Sequence, residues 1–299
     1  MNRPRRSRAA VGAVGALVAV VVAAGLLGGR GPDDPPVDED RVVLSPVEGG
    51  AGHTHSGGGA GVRIGDGTAT EAGGYRLEDV TLPGPGEPGD VSFRILDDTG
   101  RPLTDYTPEQ TKELHLYVVR ADLADFRHLH PTMAADGTWT ARVALATPGS
   151  YRVLAEFTPA TPDADGTHVV LGDTQLVPGP WDPVAVSDTA SGDDGVVAVQ
   201  APETLQAGPD ERMTITVGDV DGQEVTLGSY LGTFAHLTGF HTGTGEFVHA
   251  HPVGAAEPTA DGDELTFYTD VDQPGTYRFF LQVRVDGFVH QVPFATTVA

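Results

Sequence analysis

The sequence of 299 residues contains no cysteine and only three methionines. The absence of cysteine excludes a disulfide framework, a Cys-x-x-Cys redox or zinc motif, a thiol nucleophile and a lipoprotein attachment site. Three methionines are too few for a methionine-rich copper site, although Met133 lies three residues after His130 and is either an axial ligand or a loop-packing residue. Any metal site in this chain must therefore be built mainly from histidines and carboxylates.

Basic residues and enzyme motifs are also scarce. The chain has 18 lysines and arginines against 42 aspartates and glutamates, which gives a net charge of −24. Such an acidic chain repels phosphate backbones, which argues against nucleic acid as a partner. The sequence has no Gly-x-Ser-x-Gly elbow, no phosphate-binding glycine loop and no His-Glu-x-x-His motif. These absences predict a protein that is not an enzyme. A histidine-based metalloenzyme is kept as a third interpretation, after metal binding without catalysis and a structural role.

One long apolar run is present, at the N-terminus. Residues 9–29 are alanine, valine, leucine and glycine only, long enough to cross a bilayer as a helix. Four arginines precede this run: Arg3, Arg5, Arg6 and Arg8. Because cytoplasmic arginines orient such helices, we predict that residues 1–30 are a single-pass anchor in the cell membrane and that the rest is extracytoplasmic, with a cleaved signal peptide as the alternative. Residues 31–74, rich in Pro, Asp and Gly and carrying His53 and His55, are predicted to be a flexible tether.

Sustained helical periodicity is absent from the remaining sequence. Short alternating apolar runs bounded by Gly, Pro and Asp recur instead, for example at residues 91–96 and 277–285. This pattern predicts an all-β region of two tandem immunoglobulin-like or cupredoxin-like β-sandwich domains. We place these domains at residues 75–180 and 195–299, joined by a linker at residues 181–194.

The two halves of the β region resemble each other, which indicates a tandem duplication. Phe-Arg-His-Leu-His-Pro at residues 126–131 corresponds to Phe-Val-His-Ala-His-Pro at residues 247–252. Pro-Gly-Ser-Tyr-Arg at residues 148–152 corresponds to Pro-Gly-Thr-Tyr-Arg at residues 274–278. Because the matches keep their order along the chain, each domain is predicted to be one copy of the same repeat.

Eight of the 11 histidines occupy matching positions in the two repeats. They are His115, His128, His130 and His168 in the first repeat and His236, His249, His251 and His290 in the second. If Val119 pairs with Phe126 in a hairpin, His115 lies opposite His130, and His128 projects from the same face. We therefore predict three clustered imidazoles in each repeat, with the last matched histidine as a fourth ligand and a separate site in each domain.

Clustered imidazoles suit binding of a borderline transition metal. Neutral ring nitrogens are good ligands for Zn(II) and Cu(II), so the predicted cofactor is a copper or zinc ion. The first hypothesis is an extracytoplasmic protein that buffers this ion or delivers it to a neighbour. The alternative is a structural or interaction module of the cell envelope, whose histidines hydrogen-bond to backbone or to each other and whose partner is another envelope protein.

A family resemblance supports the first hypothesis. The anchor, the tandem β domains and the Phe-x-His-x-His-Pro strands at residues 126–131 and 247–252 resemble actinobacterial secreted or membrane-anchored proteins associated with heavy-metal or copper handling. The resemblance covers residues 75–299 and implies metal handling by the extracytoplasmic domains. The His-x-His strand is also similar to that of copper/zinc superoxide dismutases. That activity is not carried over, because the disulfide of those enzymes is impossible here and their bridging-histidine and aspartate pattern has no match.

Overall fold

The computed structural model describes residues 63–161, 167–259 and 262–299, and all regular secondary structure within these ranges is β-strand. This confirms the all-β prediction. No helix in the described ranges is long and apolar enough to cross a membrane. The predicted anchor, His53 and His55 lie outside the described residues.

The first domain is a sandwich of two sheets. Its strands are β1 (Arg63–Ile64), β2 (Glu71–Ala72), β3 (Tyr75–Thr81), β4 (Gly89–Leu96), β5 (Tyr106–Thr107), β6 (Leu114–Arg120), β7 (Phe126–Leu129), β8 (Thr132–Met133), β9 (Thr138–Val143), β10 (Gly149–Pro159) and β11 (His168–Val177). One sheet has the order β1-β11-β10-β6-β7, with β5 paired to β10, and the other has the order β2-β3-β4-β9-β8. Strands β1 and β2 lie inside the predicted tether, so the folded domain begins before residue 75; two-residue strands are too short to show an alternating pattern.

The second domain repeats this architecture. Its strands are β12 (Ser191–Asp193), β13 (Val197–Gln200), β14 (Thr204–Leu205), β15 (Gly208–Asp219), β16 (Leu227–Gly228), β17 (Ala235–His241), β18 (Phe247–Ala250), β19 (Glu257–Thr259), β20 (Gly262–Val271), β21 (Gly275–Val285) and β22 (Phe288–Val298). One sheet has the order β14-β22-β21-β17-β18, with β16 paired to β21, and the other has the order β12-β13-β15-β20-β19. Strand β12 lies within the predicted linker.

The pairing order is immunoglobulin-like in both domains. Strands β3-β4-β9-β8 and β13-β15-β20-β19 correspond to the A-B-E-D sheet of an immunoglobulin sandwich, and β11-β10-β6-β7 and β22-β21-β17-β18 correspond to its G-F-C-C′ sheet. Of the two sandwich types that the sequence predicted, the strand order therefore selects the immunoglobulin-like one. We refer to the second sheet of each domain as its G-F-C-C′ sheet.

Each sandwich encloses its own apolar core. On β4, Val91, Phe93 and Ile95 alternate with more exposed residues and are buried between the sheets, and β15 repeats this alternation. A period of two places successive side chains on opposite faces of a strand, so one face of each strand fills the core. This alternation is the pattern from which the strands were predicted.

The G-F-C-C′ sheets of the two domains also pack against each other through their outer faces. Strands β6 and β17 are buried at all seven positions, which requires cover on both faces. A third apolar cluster, the apolar patch, joins residues of both domains: Tyr117, Val119, Phe126, Leu154, Val170, Phe240, Phe247 and Phe280. At its centre the rings of Phe126 and Phe280 stack with centroids 4.3 Å apart. The histidine-bearing face of each hairpin therefore lies at the interface between the domains.

Candidate metal centre

The hairpin formed by β6 and β7 has the predicted register. Val119 lies opposite Phe126. Continuing this register brings His115 opposite His130 at the open end of the hairpin, and their ring centroids are 5.1 Å apart. The ring of His128 lies 4.8 Å from that of His130. Three imidazoles therefore share the outer face of the first G-F-C-C′ sheet, as the spacing predicted.

The hairpin formed by β17 and β18 repeats the arrangement. Phe240 lies opposite Phe247, and the ring of His251 lies 4.8 Å from that of His236 and 4.5 Å from that of His249. In each hairpin the three histidines offer one ring nitrogen each, all within 4.8 Å of one another. We call His115, His128 and His130 the first triad, and His236, His249 and His251 the second triad.

The two triads meet across the domain interface. The ring centroids of His115 and His249 are 5.7 Å apart, and those of His128 and His236 are 5.6 Å apart. These distances are as short as some distances within a triad. His236 is fully buried and His128 is 2% exposed. The sequence predicted a separate site in each domain, whereas the structure gathers both triads into one six-histidine cluster, because the pattern within one repeat does not show what covers its outer face.

A chain of hydrogen bonds decides which nitrogen of His128 carries the hydrogen. The backbone carbonyl of Phe126 can only accept, so the side-chain amide of Gln291 donates to it from Nε2 at 3.3 Å. Gln291 Oε1 then accepts from Gln282 Nε2 at 3.2 Å, which leaves Gln282 Oε1 to face His128 Nδ1 at 2.7 Å. His128 Nδ1 is therefore the donor, and Nε2 of the neutral ring holds a lone pair.

His115 is held in the opposite tautomer. Its Nε2 donates to the backbone carbonyl of Glu109 at 3.1 Å, so Nδ1 holds the lone pair. This Nδ1 lies 2.9 Å from Nε2 of His128. In the neutral triad two lone pairs thus face each other with no hydrogen between them. A proton or a metal cation bound by both nitrogens would turn this repulsion into attraction.

The second triad is oriented by a buried carboxylate. Glu156 Oε2 lies 2.7 Å from His249 Nδ1 and accepts a hydrogen bond from the hydroxyl of Tyr117 at 2.8 Å. Burial raises the pKa of Glu156, but the charge and hydrogen bond of His249, with the Tyr117 hydroxyl, outweigh it and hold the pKa below its usual range. The ionised carboxylate only accepts, so His249 Nδ1 donates and Nε2 faces His236 Nδ1 at 3.4 Å. The remaining nitrogen of His236, Nε2, is buried without a hydrogen-bond partner among the described residues.

Burial lowers the pKa of four imidazoles of the cluster. Loss of hydration, with repulsion from His249 as a lesser cause, lowers the pKa of His115 to about 4. Burial and the neighbouring His115 lower the pKa of His130 to about 2. Burial also lowers the pKa of His128 and of His236 well below the ordinary histidine value. At neutral pH these four rings are therefore in the unprotonated form that binds metal ions.

The last matched histidine of each repeat lies outside both triads. His168 Nδ1 is 3.5 Å from Thr158 Oγ1, and its Nε2 is 3.8 Å from a carboxylate oxygen of Glu109. His290 Nδ1 is 2.8 Å from Asp194 Oδ2. The structure therefore does not bring the two predicted fourth ligands into the cluster. The reason is the strand order: β10 separates β11 from β6, and β21 separates β22 from β17, two strand spacings or about 10 Å.

Two further residues, His241 and Met133, have structural roles. His241 Nδ1 accepts hydrogen bonds from the backbone N–H groups of Gly243 at 3.1 Å and Thr244 at 2.9 Å, and its Nε2 donates to the carbonyl of Pro274 at 3.2 Å. His241 thus shapes the loop between β17 and β18. Met133 packs against the core of the first domain, in agreement with the loop-packing alternative.

The histidine pattern did not predict the residues that orient the triads, which are Tyr117, Glu156 and Gln282. Glu156 on β10 pairs with His115 across the sheet, and Gln282 on β21 pairs with His236 in the same way. Each lies five residues after the tyrosine of the repeated Pro-Gly-x-Tyr-Arg motif. A polar residue at the same place in two otherwise apolar runs, residues 153–157 and 279–283, was the signal that could have identified Glu156 and Gln282.

The chain belongs to the family described as a domain of unknown function (DUF8832), whose profile matches residues 69–170 and 189–299. One triad falls within each matched segment. No curated protein matches the chain.

Several solved structures are similar to the chain at low scores. A tetra-tandem repeat from the extending region of a large adhesion protein has 14% identity and a TM-score of 0.25, covering 75% of this chain and 49% of that one. The fibronectin(III)-like modules of Clostridium thermocellum CbhA have 15% identity and a TM-score of 0.20, covering 75% and 92%. Alpha-2-macroglobulin of Escherichia coli has 11% identity and a TM-score of 0.26, covering 75% and 23%. The chain spans about half the length of the adhesion-protein chain, and scores this low carry no argument about function.

Proposed function

We propose that this DUF8832 protein binds a transition metal ion, copper or zinc, through the six-histidine cluster. The observation that carries the proposal is the 2.9 Å contact between His115 Nδ1 and His128 Nε2. The Glu109 carbonyl and the Gln282 amide oxygen hold these two rings so that both facing nitrogens present lone pairs. A metal ion bound by both nitrogens replaces this repulsion with two coordinate bonds.

The spacing of the ring nitrogens supports the same proposal. Bonds of about 2.0 to 2.1 Å in a tetrahedral site place neighbouring ligand nitrogens about 3.3 Å apart. The facing nitrogens of His236 and His249 are 3.4 Å apart, and those of His115 and His128 need to separate by only a few tenths of an ångström. Imidazole ligands without thiolates suit zinc and copper.

We propose buffering or delivery of the ion outside the cell, with residues 1–30 as the membrane anchor. His130, His249 and His251 are the partly exposed members of the two triads, which gives an ion a route from solvent to the buried nitrogens. The remaining ligand rings lie largely between the two sheets, which leaves little room for an organic substrate. This arrangement favours binding and release of an ion over catalysis.

The test is a calorimetric titration of the full chain with Zn(II) and Cu(II) at neutral pH, with metal analysis of the purified protein. Three forms are compared: wild type, the variant H128Q/H130Q/H249Q/H251Q, and the control H168Q/H290Q, whose histidines lie outside the cluster. We expect wild type and the control to bind with Kd well below ~10⁻⁴ M and the fourfold variant to lose this binding. Equal titrations of wild type and fourfold variant, or no wild-type Kd below that limit, would overturn the proposal.

A second candidate is a purely structural role for the histidines. It is favoured by the hydrogen bonds that cross the interface, from His128 to Gln282 and between His249 and Glu156. In that role the cluster joins the domains without metal, and the envelope module presents its surface to another protein. The same titration decides between the two: the structural role requires a fourfold variant that is less stable and a wild type that binds neither ion.

A further inference from the structure

Each triad donates one orienting hydrogen bond to the opposite domain. His128 of the first domain donates from Nδ1 to Gln282 of the second at 2.7 Å, and His249 of the second domain donates from Nδ1 to Glu156 of the first, also at 2.7 Å. Glu156 and Gln282 occupy matching places on β10 and β21. The two hydrogen bonds are therefore equivalent contacts between matching residues, and they run in opposite directions across the interface.

The two orienting groups differ in charge. Gln282 is a neutral amide, whereas Glu156 is a buried carboxylate that also accepts a hydrogen bond from the hydroxyl of Tyr117. The counterpart of Tyr117 in the second domain is Thr238, which lies opposite His249 as Tyr117 lies opposite His128. The two repeats thus share the histidines but differ in the residues that accept hydrogen bonds from them.

A carboxylate and an amide behind a ligating imidazole have unequal effects. Both fix the tautomer and the direction of the ring, but a carboxylate raises the basicity of the ring more and also offsets part of the charge of a buried ion. In this cluster the carboxylate is hydrogen-bonded to His249, whereas His115 of the first triad is only its cross-strand neighbour, so the larger effect falls on the second triad. Loss of the group that accepts the ring N–H of a ligating histidine typically weakens metal binding 10- to 100-fold.

We infer that the cluster forms two unequal metal sites coupled across the interface, of which the second triad is the tighter for a divalent ion because Glu156 of the first domain supports it. The inference rests on the proposed function. Glu156 and Gln282 act here as positioning residues, each serving the triad of the other domain. It follows that the second triad fills first and that neither site is complete unless both sandwiches are docked.

The test isolates each triad within the full chain. The variant H128Q/H130Q keeps the second triad, and H249Q/H251Q keeps the first. Their Zn(II) affinities are measured by competition with a chromophoric chelator at neutral pH. We expect the second triad to bind more tightly, and E156Q to weaken it about 10- to 100-fold while changing the first triad by less than about threefold.

The exchange variant E156Q/Q282E provides the decisive comparison because it keeps one buried carboxylate and one amide. We expect it to reverse the order of the two affinities, a result that a merely structural role for Glu156 would not produce. An unchanged order, or equal losses at both triads in E156Q, would overturn the inference. If wild type binds one ion and both double variants bind none, a single shared site replaces the two unequal ones and the proposed function stands. If wild type binds no ion, both proposals fall.

Discussion

The interface between the domains has two unlike parts on the same strands. In the apolar patch, the ring of Phe126 stacks on that of Phe280, and the ring centroids of Tyr117 and Phe247 are 4.9 Å apart. In the six-histidine cluster, polar rings are buried and depend on specific partners. On β6 the change occurs within four residues, from His115 in the cluster to Val119 in the patch.

This difference separates stability from ion binding. Burying apolar side chains stabilises the docked domains, whereas burying an imidazole costs free energy unless its nitrogens are satisfied. In the first triad two acceptor nitrogens face each other, so the cluster contributes little to the stability of the docked domains without an ion. The two parts can therefore be changed independently.

The largest effect is expected in the apolar patch. Replacing Phe126 with alanine removes the central stacked ring and leaves a cavity, so the free energy of unfolding should fall by about 3 to 5 kcal/mol. Urea denaturation of the metal-free chain measures this. The control is L176A, because Leu176 is 71% exposed and its truncation should change stability by less than about 0.5 kcal/mol. A loss below about 1 kcal/mol in F126A would show that the patch does not hold the domains together.

Metal should stabilise the cluster by mass action. At a free Zn(II) concentration of 100 times Kd, the wild-type free energy of unfolding should rise by about 2.7 kcal/mol for each site at that saturation, because the ion binds the folded protein only. The thermal midpoint with and without Zn(II) measures this gain. The variant H128Q/H130Q/H249Q/H251Q should show no gain, while F126A should keep it. Equal gains in wild type and the fourfold variant would place the bound ion elsewhere.

Acid should destabilise the metal-free chain. The folded pKa of His115 is lowered to about 4, and those of His128 and His236 are lowered well below the ordinary value, so these rings gain protons more readily when unfolded. Their stability contribution is present above about pH 6.5 and is lost as the pH falls toward the folded pKa values. We expect a loss of about 1 kcal/mol per such histidine between pH 6.5 and pH 5.5, and a shallower profile in the fourfold glutamine variant. Parallel profiles for the two proteins would contradict this.

The smallest effect concerns His241, which lies outside the cluster. Substituting His241 with alanine removes the acceptor for two backbone N–H groups and should lower the free energy of unfolding by about 1 kcal/mol. Zn(II) affinity should not change, because the ring belongs to neither triad. Asparagine at this position can accept the same backbone donors and serves as the control. A change in Zn(II) affinity in H241A with normal stability would extend the metal site to this loop.

The local pattern predicted much of the fold and part of the site. Alternation of apolar residues placed the strands, and the offset between Val119 and Phe126 gave the hairpin register that gathers each triad. The same pattern missed β1, β2 and β12, which are too short to alternate. It also assigned ligand roles to His168 and His290, because position along the chain does not show that a strand intervenes between them and the hairpins.

The sequence by itself determined what depends on neighbours along the chain: strand periodicity, the duplicated hairpins and the facing of histidines two residues apart. Only the tertiary structure decided what depends on docking two sheets: that the triads share one buried cluster, that Glu156 stands behind His249, and that Gln282 stands behind His128. The physical reason is that the local sequence of a strand does not show what packs against the outer face of its sheet. Residues 93 and 154 positions apart meet only because the two outer faces pack against each other.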